Sequence, residues 1–173
     1  MKQKIQIRCK NNKKSQKVEI GSTLFDVFSS FDLKMTHGPV SARVNNKVEG
    51  MHYRVYNSKD VEFLDMNSAS GSRAYTRTLF FVLCKAVQDI YPNTDVVIDI
   101  PVSNGFYVDI RLGRPVVDED VNILRRRMQE IIDSRMPIRR FTVPTEEAIA
   151  LFQEKGDVEK VKLLRTSGSI YTT

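Results

Sequence analysis

The stretch whose reading decides the fold runs from Arg73 to Asp109, RAYTRTLFFVLCKAVQDIYPNTDVVIDIPVSNGFYVD. Leu79, Phe80, Leu83, Val87 and Ile90 recur in it at helical steps, uninterrupted by glycine or proline, which is the pattern of one buried helix face. Pro92 ends this helix at Tyr91, because proline disfavours helical geometry in the residue before it and brings no backbone donor. After a turn at Tyr91, Pro92 and Asn93, Asp95 and Asp99 bracket Val96, Val97 and Ile98, the alternation of a half-buried strand over 94–102. Gly105, Phe106 and Tyr107 open a second strand. Helix followed by paired strands sets an α+β expectation.

Working outward toward the amino end, residues 2–9, KQKIQIRC, alternate polar with apolar, as do 17–20, with Asn11, Asn12 and Ser15 supplying turn chemistry between them. That predicts a hairpin. Gly21 and Ser22 introduce a helix from Thr23 to about Asp32, with Ser22 as N-cap and Leu24, Val27, Phe28 and Phe31 as its inner face. Strands follow over 40–44 and 61–64, with an Asn45-Asn46 turn between apolar segments. A small sheet over one helix buries this set of elements economically. Met66–Ser72, MNSASGS, reads as a linker, so the domains divide as 1–66, a connector at 67–72, and 73–173.

Toward the carboxyl end, Val121, Leu124, Met128, Ile131 and Ile132 predict a helix over 117–136, with Asp118, Glu119 and Asp120 at its front complementing the helix dipole and Pro137 stopping it. A strand over 138–143 is expected next, then a helix opened by Pro144, Thr145 and Glu146 and closed by Gly156, and a last helix over 158–164. The tail SGSIYTT carries no stop signal of a finished domain, so a longer parent chain is expected.

With 173 residues and 41% hydrophobic content, the chain suits one ordinary domain or two small ones, burying roughly 70% of its unfolded surface if it is a single unit. No apolar run of about 18 residues occurs and the start is polar, so a cytoplasmic protein without membrane attachment is expected. Cys9 and Cys84 are too isolated for a zinc cluster, and His37 and His52 are too few for a histidine-rich metal site; no metal ligands are assigned. The formal charge is +6, and Lys2, Lys4, Arg8, Lys10, Lys13, Lys14 and Lys17 all precede the first acid, Glu19. Two readings stand: attraction to nucleic acid or phosphate, or a lysine-studded sheet edge that resists pairing with neighbours.

The segments EIGSTLFDVFSS, SARVNNKVEG and VEFLDM together resemble a TGS domain, the ubiquitin-like β-grasp module at the front of threonyl-tRNA synthetase. YPNTDVVIDIPVSNGFYVDIRLGRPVVDED, RRMQEIIDSRMPIRR and VPTEEAIALFQEKGDVEKVKLL are similar in order and spacing to the second domain of that synthetase, related to the editing domain of alanyl-tRNA synthetase. The resemblance implies a β-grasp domain followed by an editing-like α+β domain truncated at its carboxyl end. In the synthetases the helix matching Arg73–Tyr91 bears two histidines four residues apart, and counting back from the shared AV and YP puts those positions at Arg77 and Phe81. Arginine stays protonated and phenylalanine has no proton to exchange, so no catalytic residue is assigned.

The run RAYTRTLFFVL resembles a different branch, bacterial uridine or nucleoside kinases that carry such a front end ahead of a P-loop domain. That resemblance implies a non-catalytic regulatory or ligand-binding module whose partner is a downstream kinase domain; ATP and Mg would serve the parent, with no cofactor in this segment, which lacks a G-x-x-x-x-G-K-[ST] loop. The alternative is a fragment or derivative of threonyl-tRNA synthetase that binds tRNA with its editing histidines lost, and a third reading is a module that only packs domains together. For either ligand, RNA or nucleotide, the binding candidates are Arg73, Tyr75, Arg77, Lys85, Asn104 and Tyr107, since guanidinium forks beside stacking rings suit phosphates and bases. The competing expectation is that Arg77 forms a structural ion pair with Asp99 or Asp109. Arg125, Arg126 and Arg127 spread round their helix as a solvated face.

Overall fold

Alternation in the first nineteen residues is realised as a hairpin of β1 (Lys4–Cys9) and β2 (Ser15–Glu19), antiparallel with Ile5 opposite Val18. The structure, a computed structural model, describes residues 3–103 and 105–173. α1 (Leu24–Ser30) follows, and its cap is Thr23, one residue later than the expected Ser22. The reason is a reciprocal capping box: the Asp26 N–H donates to Thr23 Oγ1 at 3.2 Å, and the Thr23 N–H donates to Asp26 Oδ2 at 2.8 Å. The Thr23 hydroxyl, donating to Asp26 Oδ2 at 2.7 Å, and after it the Thr23 N–H hold the Asp26 carboxyl below its usual range. Thr23→Ala should cost about 1 kcal/mol, read as a lower denaturant midpoint at unchanged slope.

β3 (Ser41–Val44) and β4 (Lys47–Gly50) form a second hairpin whose turn residues Asn45 and Asn46 both adopt positive φ, at 45° and 72°, the left-handed geometry asparagine tolerates. β5 (Lys59–Leu64) enters the middle of the sheet, parallel to β1 and antiparallel to β3, giving the order β2-β1-β5-β3-β4. Alternate residues of these strands, among them Ile7, Cys9, Ala42, Val44, Val61 and Phe63, bury one sheet face with Leu24, Val27 and Phe31. The opposite face carries Gln6, Arg8, Arg43, Asp60 and Glu62, together with Val48 and the buried Leu64.

The expected connector at 67–72 takes a different form. Ser68 caps α2 (Ala69–Ile90), so the small polar residues 69–72 are the helix's first turn and it begins four residues before Arg73. Tyr91 closes it, and Asn93 turns the chain at φ 63°. β6 (Val96–Val102) and β7 (Gly105–Ile110) make an antiparallel hairpin whose register shifts between Ile98 and Pro101, where proline withholds a ladder donor. α3 (Asp118–Asp133) then packs Leu124, Met128 and Ile131 against Ala86, Val87 and Ile90 of α2 and Val96 and Ile110 of the hairpin, a second apolar cluster.

The chain divides into two compact units, Met1–Ile132 and Asp133–Thr173. In the second, the strand expected over 138–143 shrinks to β8 (Val143–Pro144), paired with β9 (Tyr171–Thr172). Ile138 and Phe141 are exposed instead, since alternation makes a strand only where another strand meets it. α4 (Thr145–Glu154) and α5 (Val158–Thr166) complete this unit, with the Thr145 hydroxyl donating to the Ser169 carbonyl at 2.6 Å. The α+β expectation holds, and among the described residues no helix is long and apolar enough to cross a membrane.

Candidate nucleic-acid interface

Residues four apart on a helix share a face, and α2 sets Arg73, Arg77, Phe81 and Lys85 in such a row. Arg73 and Arg77 are exposed, and Phe81 is 66% exposed, unusual for its type. The neighbouring Phe80 turns inward and meets Phe106 of β7 edge to face, ring centroids 4.9 Å apart. Adjacent phenylalanines on a helix diverge, and here one packs while the other faces solvent.

Arg73 donates to Ser70 Oγ at 3.2 Å within its own helix. Arg77 has no hydrogen bond or ion pair with another described residue. The structural ion pair expected for it is therefore not formed, for a reason of strand parity. Val96, Ile98, Val108 and Ile110 share one face, and Val96 and Ile110 pack on the α2 cluster. Asp109, opposite Val97, has the opposite parity and stands on the other face, where it pairs with Arg111 at 3.3 Å, and Asp99 falls in the register shift between Ile98 and Pro101.

Parity likewise separates Tyr107 from the helix: Phe106 contacts α2, so Tyr107, 58% exposed, lies on the outer side. Tyr75, two residues from both Arg73 and Arg77, points about 200° round the helix from each. Lys85 is also withdrawn, because it donates to Asp89, which additionally accepts from Arg127 Nη2 at 2.8 Å. Bonds from Lys85 first and Arg127 second hold the Asp89 carboxyl below its usual range. Asn104 lies outside the described residues, as does Lys2. Of the six candidates, then, Arg73, Arg77 and Lys85 share a row with Phe81, Lys85 being paired with Asp89, while Tyr75 and Tyr107 stand on other faces.

Arg125 and Arg126 are exposed, as a solvated face requires, while Arg127 is committed to Asp89 and Glu130, tying α3 to α2. Sequence reading missed a further cluster at the start of α3. Asp120, 3% exposed, accepts from both guanidinium nitrogens of Arg114 at 2.7 and 2.8 Å, from the Tyr91 hydroxyl at 2.6 Å and from the Val117 N–H at 3.0 Å. Its carboxyl is held well below the usual range, by Arg114 chiefly and by Tyr91 next. The bidentate fork fixes the turn that carries the chain from β7 into α3.

Neither histidine lies on α2, and no group of three or more His, Cys, Asp or Glu side chains suited to a metal ion occurs among the described residues. What the α2 row offers chemically is two permanent cations flanking an exposed ring.

No family model matches the chain. It is 30% identical to the threonine-tRNA ligase of Acetivibrio thermocellus over 145 residues, 84% of this chain and 23% of the ligase. The ligase of Natranaerobius thermophilus is 30% identical over 82% of the chain and 22% of its own length, and that of Clostridium kluyveri 28% identical over 93% and 25%. These relatives favour the synthetase expectation over the kinase one. The chain spans about a quarter of the length of the curated relatives it matches, and over most of its own length those relatives are threonine-tRNA ligases.

Proposed function

We propose that this chain is a tRNA-binding module of the threonyl-tRNA synthetase type whose editing-like site has become a non-hydrolytic RNA contact. The observation that carries the reading is the exposed row Arg73, Arg77 and Phe81 on α2, in a chain whose relatives are named for action on tRNA. The resemblance puts imidazoles at two of those positions; a guanidinium and a benzene ring replace a proton-transfer pair with a phosphate clamp and a stacking surface. Residues 1–66 act in this reading as a TGS-like β-grasp domain, supported by a five-stranded sheet folded over one helix with its own apolar cluster. The domain beyond it begins with α2.

Titration of the chain with threonine tRNA, followed by fluorescence anisotropy at several salt concentrations, tests this. Binding should weaken with salt, and Arg73→Ala with Arg77→Ala should lower the slope of log affinity against log salt by about 2, roughly one per phosphate contact. Phe81→Ala should weaken binding by about 1–3 kcal/mol at every salt concentration, because stacking is not screened. Seryl-tRNA incubated with the chain should keep its ester; serine release above the buffer rate would sink the non-hydrolytic reading.

A further inference from the structure

The outer face of the five-stranded sheet holds a cleft of about 360 Å³ that the α2 row does not involve. Its wall draws on β1, β2, β5 and the β3–β4 turn, which bring Arg8, Ser15, Asn45, Ser58, Lys59 and Asp60 together. Two of these are held in place by the backbone. Asn45 donates its N–H to the Asp60 carbonyl at 2.9 Å and accepts the Asp60 N–H on Oδ1 at 3.0 Å, which leaves its amide nitrogen as a donor with no partner among the described residues. Ser58 Oγ accepts the Gln6 N–H at 3.3 Å, so its hydroxyl proton is free to be donated.

Arg8 and Asp60 are opposite each other across the parallel β1–β5 pair and share the outer face, yet neither enters an ion pair among the described residues; Lys59, opposite Ile7, has the parity of the buried face. One cation, fixed neutral donors and a single carboxylate on one face do not match a bare anion, which would meet Asp60 as a repulsive neighbour. They match a group that is anionic at one end and hydroxylated at the other. We propose that the cleft binds a ribonucleotide unit: Arg8 takes the phosphate, and Asp60 accepts hydrogen bonds from the ribose hydroxyls, with Asn45 and Ser58 donating to the remaining oxygens. A carboxylate acceptor for the 2′-hydroxyl separates RNA from DNA. The cleft also gives part of the basic amino-terminal run a use beyond guarding the sheet edge.

This inference rests on the reading of the chain as an RNA binder, and its test distinguishes the two. Anisotropy is measured on a labelled single-stranded RNA oligonucleotide and on DNA of the same sequence, using the whole chain and variants with far-ultraviolet circular dichroism matching wild type. Arg8→Ala should weaken both ligands about tenfold, the loss of one charged hydrogen bond. Asp60→Asn should leave DNA binding unchanged or stronger and erase the preference for RNA. Adenosine monophosphate is added as competitor: displacement at concentrations near its own affinity identifies the ligand as a free nucleotide, and displacement only by oligonucleotide identifies a strand, both occupying the proposed cleft. If wild type binds RNA and only the Arg73 and Arg77 variants weaken it, the cleft proposal is overturned while the α2 reading stands. If Arg8→Ala and Asp60→Asn act as stated and the α2 variants do not, the reverse holds. Failure of wild type to bind either RNA or nucleotide removes both.

Discussion

Gly71→Ala is expected to lower stability by about 3 kcal/mol, and the melting temperature by about 6–12 °C, although alanine is the better helix former. Gly71 occupies the first turn of α2, where propensity alone would favour alanine by about 1 kcal/mol. Space decides against it. A Cβ there would sit 1.8 Å from the Asp65 carbonyl oxygen, 2.6 Å from its carbon and 2.8 Å from Ser68 Oγ. That carbonyl cannot simply withdraw, because it accepts from Ser68 Oγ at 2.9 Å and from the Ser68 N–H at 3.2 Å. The Ser68 hydroxyl in turn accepts the Gly71 N–H at 3.0 Å. One methyl group therefore displaces the cap and the chain leaving β5 together. Ser72→Ala, exposed on the same turn, is the control and should stay within about 0.5 kcal/mol of wild type. A Gly71→Ala chain melting at or above wild type would show that α2 does not pack this closely on Asp65.

The same glycine explains where sequence reading stopped. MNSASGS has the composition of a flexible linker, and nothing local distinguishes a linker from a cap plus a glycine demanded by a tertiary contact. Periodicity located the body of α2, both hairpins and α3, because each buries one face against a neighbour and the spacing records that burial. It misled at 138–142, where alternation exists without a partner strand. The candidate row on α2 was legible because helix geometry turns sequence spacing directly into shared faces. Pairing between elements was not. The expected partners of Arg77 are Asp99 and Asp109, but strand parity sends Asp109 to the far face of the hairpin, and Asp99 falls where the register shifts. The i, i+4 spacing of Lys85 and Asp89 is visible in the sequence and marks the ion pair they form. The sheet cleft joins residues from four separate segments, which no linear pattern reveals.

Arg114→Ala should lower the melting temperature on the order of 5 °C at neutral pH and progressively less in acid. Asp118, Glu119 and Asp120 all complement the dipole of α3 by position, yet only Asp120 is buried, so the variant would leave a carboxylate facing two neutral donors, Tyr91 and the Val117 N–H. The wild-type carboxyl titrates below the ordinary value of 3.8, so the stability it contributes is complete above that pH and fades as pH falls further. The difference between wild type and Arg114→Ala should accordingly be flat from neutrality to about pH 5 and shrink below pH 4. At the alkaline end the sign reverses. The Tyr91 phenol, hydrogen-bonded to Asp120, titrates above its ordinary 10.0, so its contribution is complete below that pH and is lost as pH rises through the shifted value. Tyr91→Phe should therefore converge on wild type only above pH 10. Adding Asp120→Asn to Arg114→Ala makes the sharpest comparison. If the lone buried charge is what destabilises the single variant, the double variant melts higher than Arg114→Ala, even though it has lost one more native group. Strictly additive losses would mean that water reaches Asp120 and that the fork with Arg114 adds little to this turn.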